Sequence, residues 1–264
     1  MKEARLLWGL TLLLAWNSAP IWADQVSQRL ESITIDTFND PNQRVWNIDG
    51  KEYKENRIWV ARGSKFASKI GDIQYPRLTY VPAWPQALFY NNPDHLNIQS
   101  LGINGRFDRE GYNFIELYPA NPNKKDSYGN PVPAPIQLPG IVKRIDLWVW
   151  GSNYRYTLEI HLRDADGIPY VLNVGSLDFA GWKNLQVNVP SYIPQVQRYL
   201  PEYKGLTLTD MVVRTDPTER VSNFYVYFKE LNILTDMQQT PFDGRDLAQP
   251  SVVAKYWSTN QQGK

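Results

Sequence analysis

The chain of 264 residues contains no cysteine. This absence excludes a disulfide framework, thiol nucleophiles, thiolate metal sites and a lipid anchor on an N-terminal cysteine. A domain of this length buries enough apolar surface to fold without disulfides. Histidine is almost as scarce, and no metal-ligand spacing surrounds His95 or His161. We therefore interpret the histidines as solvated surface side chains.

The chain also lacks an excess of either charge, with 28 basic and 27 acidic residues. No basic stripe or acidic run stands out, so we expect no nucleic-acid partner. The sequence contains no nucleophile elbow, no phosphate-binding loop and no dinucleotide fingerprint. These absences predict that the chain is not an enzyme, with no catalytic residue, no bound metal and no cofactor.

The only long apolar run lies at the N-terminus. Lys2 and Arg5 precede the run Leu6–Trp16, a pattern typical of a secretory signal peptide. We expect cleavage after Ala23, with cleavage after Ala19 as the alternative. The run is too short to span a membrane comfortably, so we expect no membrane insertion after cleavage. An exported protein without cysteine fits the bacterial periplasm best.

Alternation with a period of two residues is clearest between Ile141 and Pro190, where it predicts four consecutive strands. The first strand places aliphatic side chains on its inner face: Ile141, Ile145, Leu147 and Val149. Its outer face carries Arg144, Asp146, Trp148 and Trp150. Short segments of the same kind recur between Gly, Pro and Asn turns along the chain. The pattern favours an all-β fold, an antiparallel β-sandwich of the jelly-roll type, over an α/β fold.

The sequence divides into three parts. Residues 1–23 are the predicted signal peptide, residues 24–235 the β-sandwich domain, and residues 236–264 an irregular C-terminal arm. Within the sandwich, Asn121–Pro139 is rich in Pro and Asn and is expected to form a long surface loop. A small apolar cluster in the arm is expected to dock on another surface: Val252, Val253, Tyr256 and Trp257.

Aromatic side chains on the outer strand faces form the most informative constellation. Trp148 and Trp150 share one such face, and Tyr225 and Tyr227 also point away from the core. The alternation slips at Lys229–Glu230, which indicates a β-bulge. Exposed flat rings favour contact with a protein partner or stacking against a sugar. Alternatively, a loop or the C-terminal arm covers these rings.

Two chemical alternatives remain open. A glycosidase needs two carboxylates across a cleft, and Glu116, Asp146 and Glu159 lie on predicted strands. We favour ordinary solvent-facing carboxylates, because these acids are isolated in the sequence. The loop from Asp164 to Gly167 offers oxygen ligands for calcium, but an Asp-Gly hairpin turn accounts for it as well.

Three blocks of the sequence resemble the spirochaete flagellar filament outer-layer (sheath) proteins. They are Tyr156–Gln195, Phe224–Asp236 and the short Phe242–Gly244. The run GSL-x-F-x-GWKNL, Gly175–Leu185, is the most specific part, because a β-sandwich has no general need for it. The resemblance covers the last half of the chain well, and the region before Asn121 only loosely.

This resemblance implies a non-enzymatic structural protein that coats the periplasmic flagellar filament and supports filament shape and motility. The implied partners are the flagellin core filament and other sheath subunits or paralogues, and the implied location is the periplasm. The implied fold is similar to jelly-roll carbohydrate-binding modules. Two alternatives follow: a periplasmic carbohydrate-binding module whose aromatics stack on sugars, and a glycoside-active jelly roll that uses Glu116 or Glu159.

Overall fold

The computed structural model describes residues 28–48, 51–89, 98–196, 205–237, 247 and 250–259. The predicted signal peptide, residues 1–23, lies outside the described residues. Antiparallel strands dominate the described part, as predicted. Within these ranges, no helix is long and apolar enough to cross a membrane.

The strands are numbered in chain order. The first eight are β1 (Leu30–Asp36), β2 (Arg44–Ile48), β3 (Lys51–Glu55), β4 (Ile58–Gly63), β5 (Lys69–Ile70), β6 (Ile73–Gln74), β7 (Arg77–Val81) and β8 (Ser100–Gly105). The others are β9 (Phe114–Lys125), β10 (Pro131–Pro133), β11 (Ile136–Gln137), β12 (Ile141–Ser152), β13 (Thr157–Arg163), β14 (Pro169–Ser176), β15 (Ala180–Asn188), β16 (Thr207–Arg214) and β17 (Phe224–Asp236). The helices are α1 (Gln86–Phe89) and α2 (Pro250–Thr259).

Two large sheets form the sandwich. Sheet A has the strand order β15-β12-β17-β1-β2-β3. In addition, β8 pairs with the first part of β17 and with β7. Sheet B has the order β10-β9-β16-β13-β14, with β4 paired to β9 and β11 paired to β16. All of these pairs are antiparallel. The predicted all-β sandwich class is confirmed.

The core lies between the inner faces of the two sheets. Leu147 and Val149 of β12 are completely buried, and so are Leu158 and Ile160 of β13. Burying such a side chain contributes about 1.5–3 kcal/mol. This aliphatic layer therefore holds the sheets face to face.

One inward assignment on β12 is wrong. Ile141 is only half-buried, whereas its neighbour Val142 is 1% exposed. The pairing of β12 with β17 shifts register between Val142 and Arg144, which leaves Lys143 as an extra residue. A bulge of this kind reverses the faces on one side of it, so the alternation read from Ile145 does not extend back to Ile141.

The segment Asn121–Pro139 is not a long loop. Its first residues continue β9 to Lys125, and β10 then pairs back onto β9. Asp126 closes the turn, since its Oδ1 accepts hydrogen bonds from the backbone N–H groups of Tyr128 (2.9 Å) and Asn130 (2.9 Å). Proline is tolerated in short edge strands, and its abundance here led to the wrong prediction.

The C-terminal arm is also more regular than predicted, because residues 250–259 form α2. Proline suits the first position of a helix, and the apolar positions 252, 253, 256 and 257 have helical spacing. Tyr256 is 59% and Trp257 74% exposed. Docking of the apolar cluster therefore stays a prediction.

The predicted bulge on β17 is confirmed at Glu230, whose φ is 47°. Leu147 pairs with Leu231, but the next residue, Trp148, pairs with Lys229. Before the bulge β17 pairs with β8, and after it β17 pairs with β1. The Lys229 ammonium lies at this junction and donates to the Thr37 carbonyl (2.8 Å) and the Gln99 carbonyl (2.9 Å). The buried lysine thus ties the end of β1 to the start of β8.

Candidate functional site

The outer face of sheet A carries a row of aromatic rings across three neighbouring strands. Trp150 of β12 pairs with Tyr227 of β17 on one side and with Trp182 of β15 on the other. The Trp150 and Tyr227 rings meet edge to face, with centroids 5.4 Å apart and an interplanar angle of 77°. We call Trp182, Trp150 and Tyr227 the aromatic row.

A glycine on the next strand makes room for the end of this row. Tyr227 pairs with Gly102 of β8, and a Cβ at position 102 would lie 2.8 Å from two ring carbons of Tyr227. A strand glycine often marks such a close approach. Gly102 therefore lets the phenol ring lie flat over the neighbouring strand instead of standing away from it.

The two other predicted contact residues lie on the same face. Tyr225 is 42% exposed, and its hydroxyl accepts a hydrogen bond from the Asn223 amide at 3.3 Å. Its backbone carbonyl accepts one from the Ser152 hydroxyl. Trp148 is half-buried and pairs with Asn184 of β15. The structure thus brings together all four predicted residues, and with Trp182 they define the aromatic face: Trp148, Trp150, Trp182, Tyr225 and Tyr227.

The aromatic face is chemically uncharged at its rings. Burial raises the pKa of the Tyr227 phenol, with a smaller contribution from Tyr225, so the hydroxyl stays protonated at neutral pH. The surrounding polar groups include the Asn223 amide and the Asn184 amide, which donates to the Asp146 carboxylate at 3.2 Å. Such a surface binds mainly through the apolar area of its rings, with polar groups around them, as in the centre and rim of protein interfaces.

Trp182 and Gly102 were not predicted from the sequence. Trp182 belongs to the GWKNL run, but nothing in that run shows which strand lies beside it. The pairing of β12 with β15 spans the whole β13–β14 hairpin. The available signal was the spacing of three residues between Trp182 and the core leucine Leu185, because an odd spacing in a strand places two side chains on opposite faces.

The three predicted carboxylates lie on two different sheets. Asp146 lies on sheet A, whereas Glu116 and Glu159 lie on sheet B, on either side of Val212. Arg214 binds Glu159 with two hydrogen bonds of 2.8 Å and, with help from His161, lowers the pKa of that carboxyl. A general acid needs a raised pKa, so Glu159 is not suited to that role.

The interpretation of His161 as a solvated side chain is wrong. It is half-buried, and its Nδ1 lies 2.8 Å from the Asp210 carboxylate while its Nε2 lies 3.2 Å from Glu159. The hydrogen bond with Asp210 is the main cause of a raised pKa for the imidazole. Asp210 belongs to β16, far from His161 in the sequence, so this contact could not be predicted from the sequence. His95 lies outside the described residues.

The loop after β13 has the hydrogen bonds of an ordinary aspartate turn. The Oδ1 of Asp164 accepts hydrogen bonds from the backbone N–H groups of Asp166 (2.9 Å) and Ile168 (2.8 Å). This is the geometry by which aspartate closes a turn. In the ranges that the structure describes, no group of three or more His, Asp or Glu side chains is placed to hold a metal ion.

The family model described as flagellar filament outer layer protein FlaA matches residues 97–243, more than half of the chain. The chain belongs to this flagellar filament outer layer family. The matched region contains every residue of the aromatic face, so the predicted family resemblance is confirmed over the part that carries the candidate site.

Curated relatives of the family come from spirochaetes. A flagellar filament outer layer-like protein of Brachyspira hyodysenteriae is 28% identical over 137 residues, which are 52% of this chain and 57% of the relative. The flagellar filament outer layer protein of Treponema pallidum is 31% identical over 120 residues, which are 42% of this chain and 33% of the relative. The chain therefore spans between one third and somewhat more than half of these relatives.

Solved structures with a similar fold include carbohydrate-binding modules, at low sequence identity. A family 11 module of Clostridium thermocellum has a TM-score of 0.36 and 7% identity, over 69% of this chain and 91% of the module. A module solved with β-1,4-galactotriose has a TM-score of 0.35 and 15% identity, over 67% of this chain and 88% of the module. Likenesses this distant support no functional conclusion.

Proposed function

We propose that this chain is a structural subunit of the outer layer that coats a periplasmic flagellar filament. It binds the flagellin core and other outer-layer subunits, supports filament shape and motility, and catalyses no reaction. A signal peptide exports it to the periplasm. Membership of the outer layer family is the observation that carries this proposal. The names of the spirochaete relatives, which refer to the flagellar filament, agree with it.

The aromatic face is the contact surface in this proposal. Aromatic side chains are enriched at the centres of interfaces, because they bury a large area with few rotatable bonds. Three rings in register across β15, β12 and β17 form a stripe rather than an isolated residue. A filament presents identical sites at regular intervals, so individually weak contacts add up when neighbouring subunits also bind one another.

Charge balance suits dense packing of identical copies. The whole chain has a formal net charge of +1, so copies side by side repel one another little. Assembly through uncharged rings also predicts a weak dependence on salt, because apolar contacts are not screened by ions.

A carbohydrate-binding module is the second candidate function, and the aromatic row is the observation that favours it. Flat rings aligned on an open sheet can stack against successive sugar rings as well as against a protein surface. The two functions differ in their ligand. A carbohydrate-binding module binds a purified glycan through Trp150 and Trp182, and it has no affinity for filaments.

Co-sedimentation with isolated filaments tests the proposed function. Purified residues 24–264 are mixed with periplasmic flagellar filaments stripped of their outer layer, with and without the other stripped proteins. We expect saturable pelleting at a fixed ratio to flagellin. The double variant Trp148→Ala, Trp150→Ala should pellet at least about tenfold less tightly, in line with losing interface anchors. A folded, monomeric wild-type chain that pellets under neither condition would contradict the coat role.

The matched control is Tyr128→Ala. Tyr128 is an exposed aromatic residue, but it lies at the tip of the β9–β10 hairpin on sheet B. Its removal changes surface aromatic content by one ring and leaves the aromatic face intact. Normal pelleting of this variant would assign the loss in the double variant to the face itself.

A further inference from the structure

A second surface, on the opposite side of the sandwich, forms a polar groove. Strands β4, β9 and β16 of sheet B provide its floor, and the β9–β10 hairpin provides a wall. Its volume is about 400 Å³, within the range of small-molecule sites. The side chains that matter for binding are Arg62, Glu116, Tyr118, Asn130, Arg163 and Asp210.

Two carboxylates in the groove are held in fixed orientations by neighbours. Arg62 donates to the same oxygen of Glu116 through Nε (2.9 Å) and Nη2 (2.5 Å). Asp210 is held by the Nδ1 of His161 at 2.8 Å. A carboxylate has about four acceptor positions, so these contacts leave further acceptor capacity on Glu116 and on Asp210. Guanidinium has five N–H groups, and the contact with Glu116 uses two of them.

A flat aromatic surface lies beside these groups. The Tyr118 ring is half-buried, with the Arg62 guanidinium carbon 5.9 Å from its centroid. On the hairpin wall, Asn130 adds an amide that carries both a donor and an acceptor. Acceptors, donors and one ring face within a shallow groove match a ligand with many hydroxyl groups on a flat apolar ring.

We propose that this groove binds a short neutral carbohydrate, with Tyr118 against a sugar face and Glu116 and Asp210 accepting from hydroxyl groups. Three acids line the groove, Glu116, Asp126 and Asp210, against two arginines, so an anionic ligand is repelled. A peptide cannot add a strand beside β9, because β9 already pairs with β4 on one edge and β16 on the other. The site shares no residue with the aromatic face and is independent of the filament contact.

Binding of soluble trisaccharides to purified residues 24–264 tests this site. The probes are the neutral trisaccharides of glucose, galactose, mannose, xylose and N-acetylglucosamine, with sialyllactose as the anionic comparison. Titration calorimetry gives affinities, and saturation-transfer NMR shows which sugar protons touch the protein. We expect at least one neutral probe to bind and sialyllactose to bind more weakly. No binding of any neutral probe by the folded chain would overturn the proposal.

Variants locate the binding. Tyr118→Ala and Asp210→Asn should each weaken the affinity at least about tenfold, as expected for a lost ring contact or a lost hydrogen bond to a charged group. Asn130→Ala removes an exposed amide of the hairpin wall, far from the buried core, and should also weaken the affinity. Trp150→Ala should bind the sugar normally. Sugar binding that is lost in Trp150→Ala and kept in the groove variants would overturn the proposed site.

Discussion

The indole of Trp150 packs edge to face against the ring of Tyr227, across the antiparallel pair β12–β17. On the other side of Trp150, the register brings Trp182 opposite it. The aromatic face is thus held by strands far apart in the sequence, on a sheet whose inner side is the core. A surface built in this way presents its rings in one fixed arrangement to a partner.

Trp182 should contribute to filament binding as much as Trp150 does. Trp182→Ala removes the outer ring of the aromatic row from an edge strand, so we expect weaker pelleting by about tenfold and little change in thermal stability. Tyr112→Ala provides the control, since Tyr112 is 78% exposed outside the aromatic face. Equal pelleting of Trp182→Ala and wild type would remove Trp182 from the interface.

Gly102 and Tyr227 should be energetically coupled. Gly102→Ala places a methyl group 2.8 Å from the Tyr227 ring, so it should lower the free energy of unfolding by about 1–3 kcal/mol. In the Tyr227→Ala background the same change meets no ring and should cost at least about 1 kcal/mol less. Urea unfolding of the four proteins gives the coupling energy, and identical costs in both backgrounds would contradict the close packing.

Asp36 should make stability depend on pH. This carboxyl is buried, accepts hydrogen bonds from the Trp59 indole and the Phe38 backbone, and has a pKa raised to about 6 because burial disfavours its charge. The folded chain therefore holds a proton that the unfolded chain releases near pH 4. The free energy of unfolding should fall as pH rises from about 4 to about 6, by roughly 2–3 kcal/mol from this group.

Asp36→Asn should abolish that part of the pH dependence. Comparing unfolding curves of Asp36→Asn and wild type between pH 4 and pH 7 isolates the contribution of this one group. Asp146→Asn, on the outer face of sheet A, is the matched control. Parallel pH profiles for wild type and Asp36→Asn would show that the carboxyl titrates equally in both states.

Glu230→Gly should have a higher free energy of unfolding than Glu230→Ala. Its φ of 47° lies in the left-handed region, which a Cβ disfavours by about 1–2 kcal/mol. Glu230→Gly and Glu230→Ala both remove the carboxylate, so their difference reports the backbone alone. Glycine usually weakens a strand relative to alanine, and the reverse order is expected here. If alanine gives the higher free energy of unfolding, the backbone of the bulge is not as described.

The sequence predicts best what is local. Alternation along β12 assigned Leu147 and Val149 to the core, and the slip at Lys229–Glu230 located the bulge. Both follow from the period of one strand. The composition of residues 121–139 led to the wrong prediction of a loop, because Pro and Asn occur in edge strands and their turns as well as in loops. The sequence therefore predicted the fold class but not the hairpin that walls the groove.

Contacts between neighbouring strands could not be predicted from the sequence. The order of strands in a sheet depends on pairings between distant segments. The two-residue alternation within one strand contains no information about these pairings. Trp182 beside Trp150 and Asp210 beside His161 are both products of such pairings. Four of the five rings of the aromatic face were identified without the structure, because each belongs to a strand whose inner face is clearly apolar.

Photocrosslinking on assembled filaments tests most directly whether the aromatic face contacts the filament. Tyr225, 42% exposed on that face, is replaced by photoreactive benzoylphenylalanine, and Tyr128, 88% exposed on the opposite sheet, is replaced in a parallel protein. We expect light to join the first protein to flagellin or to another outer-layer subunit. If assembled protein crosslinks from position 128 and never from position 225, the filament is bound by the other side of the sandwich.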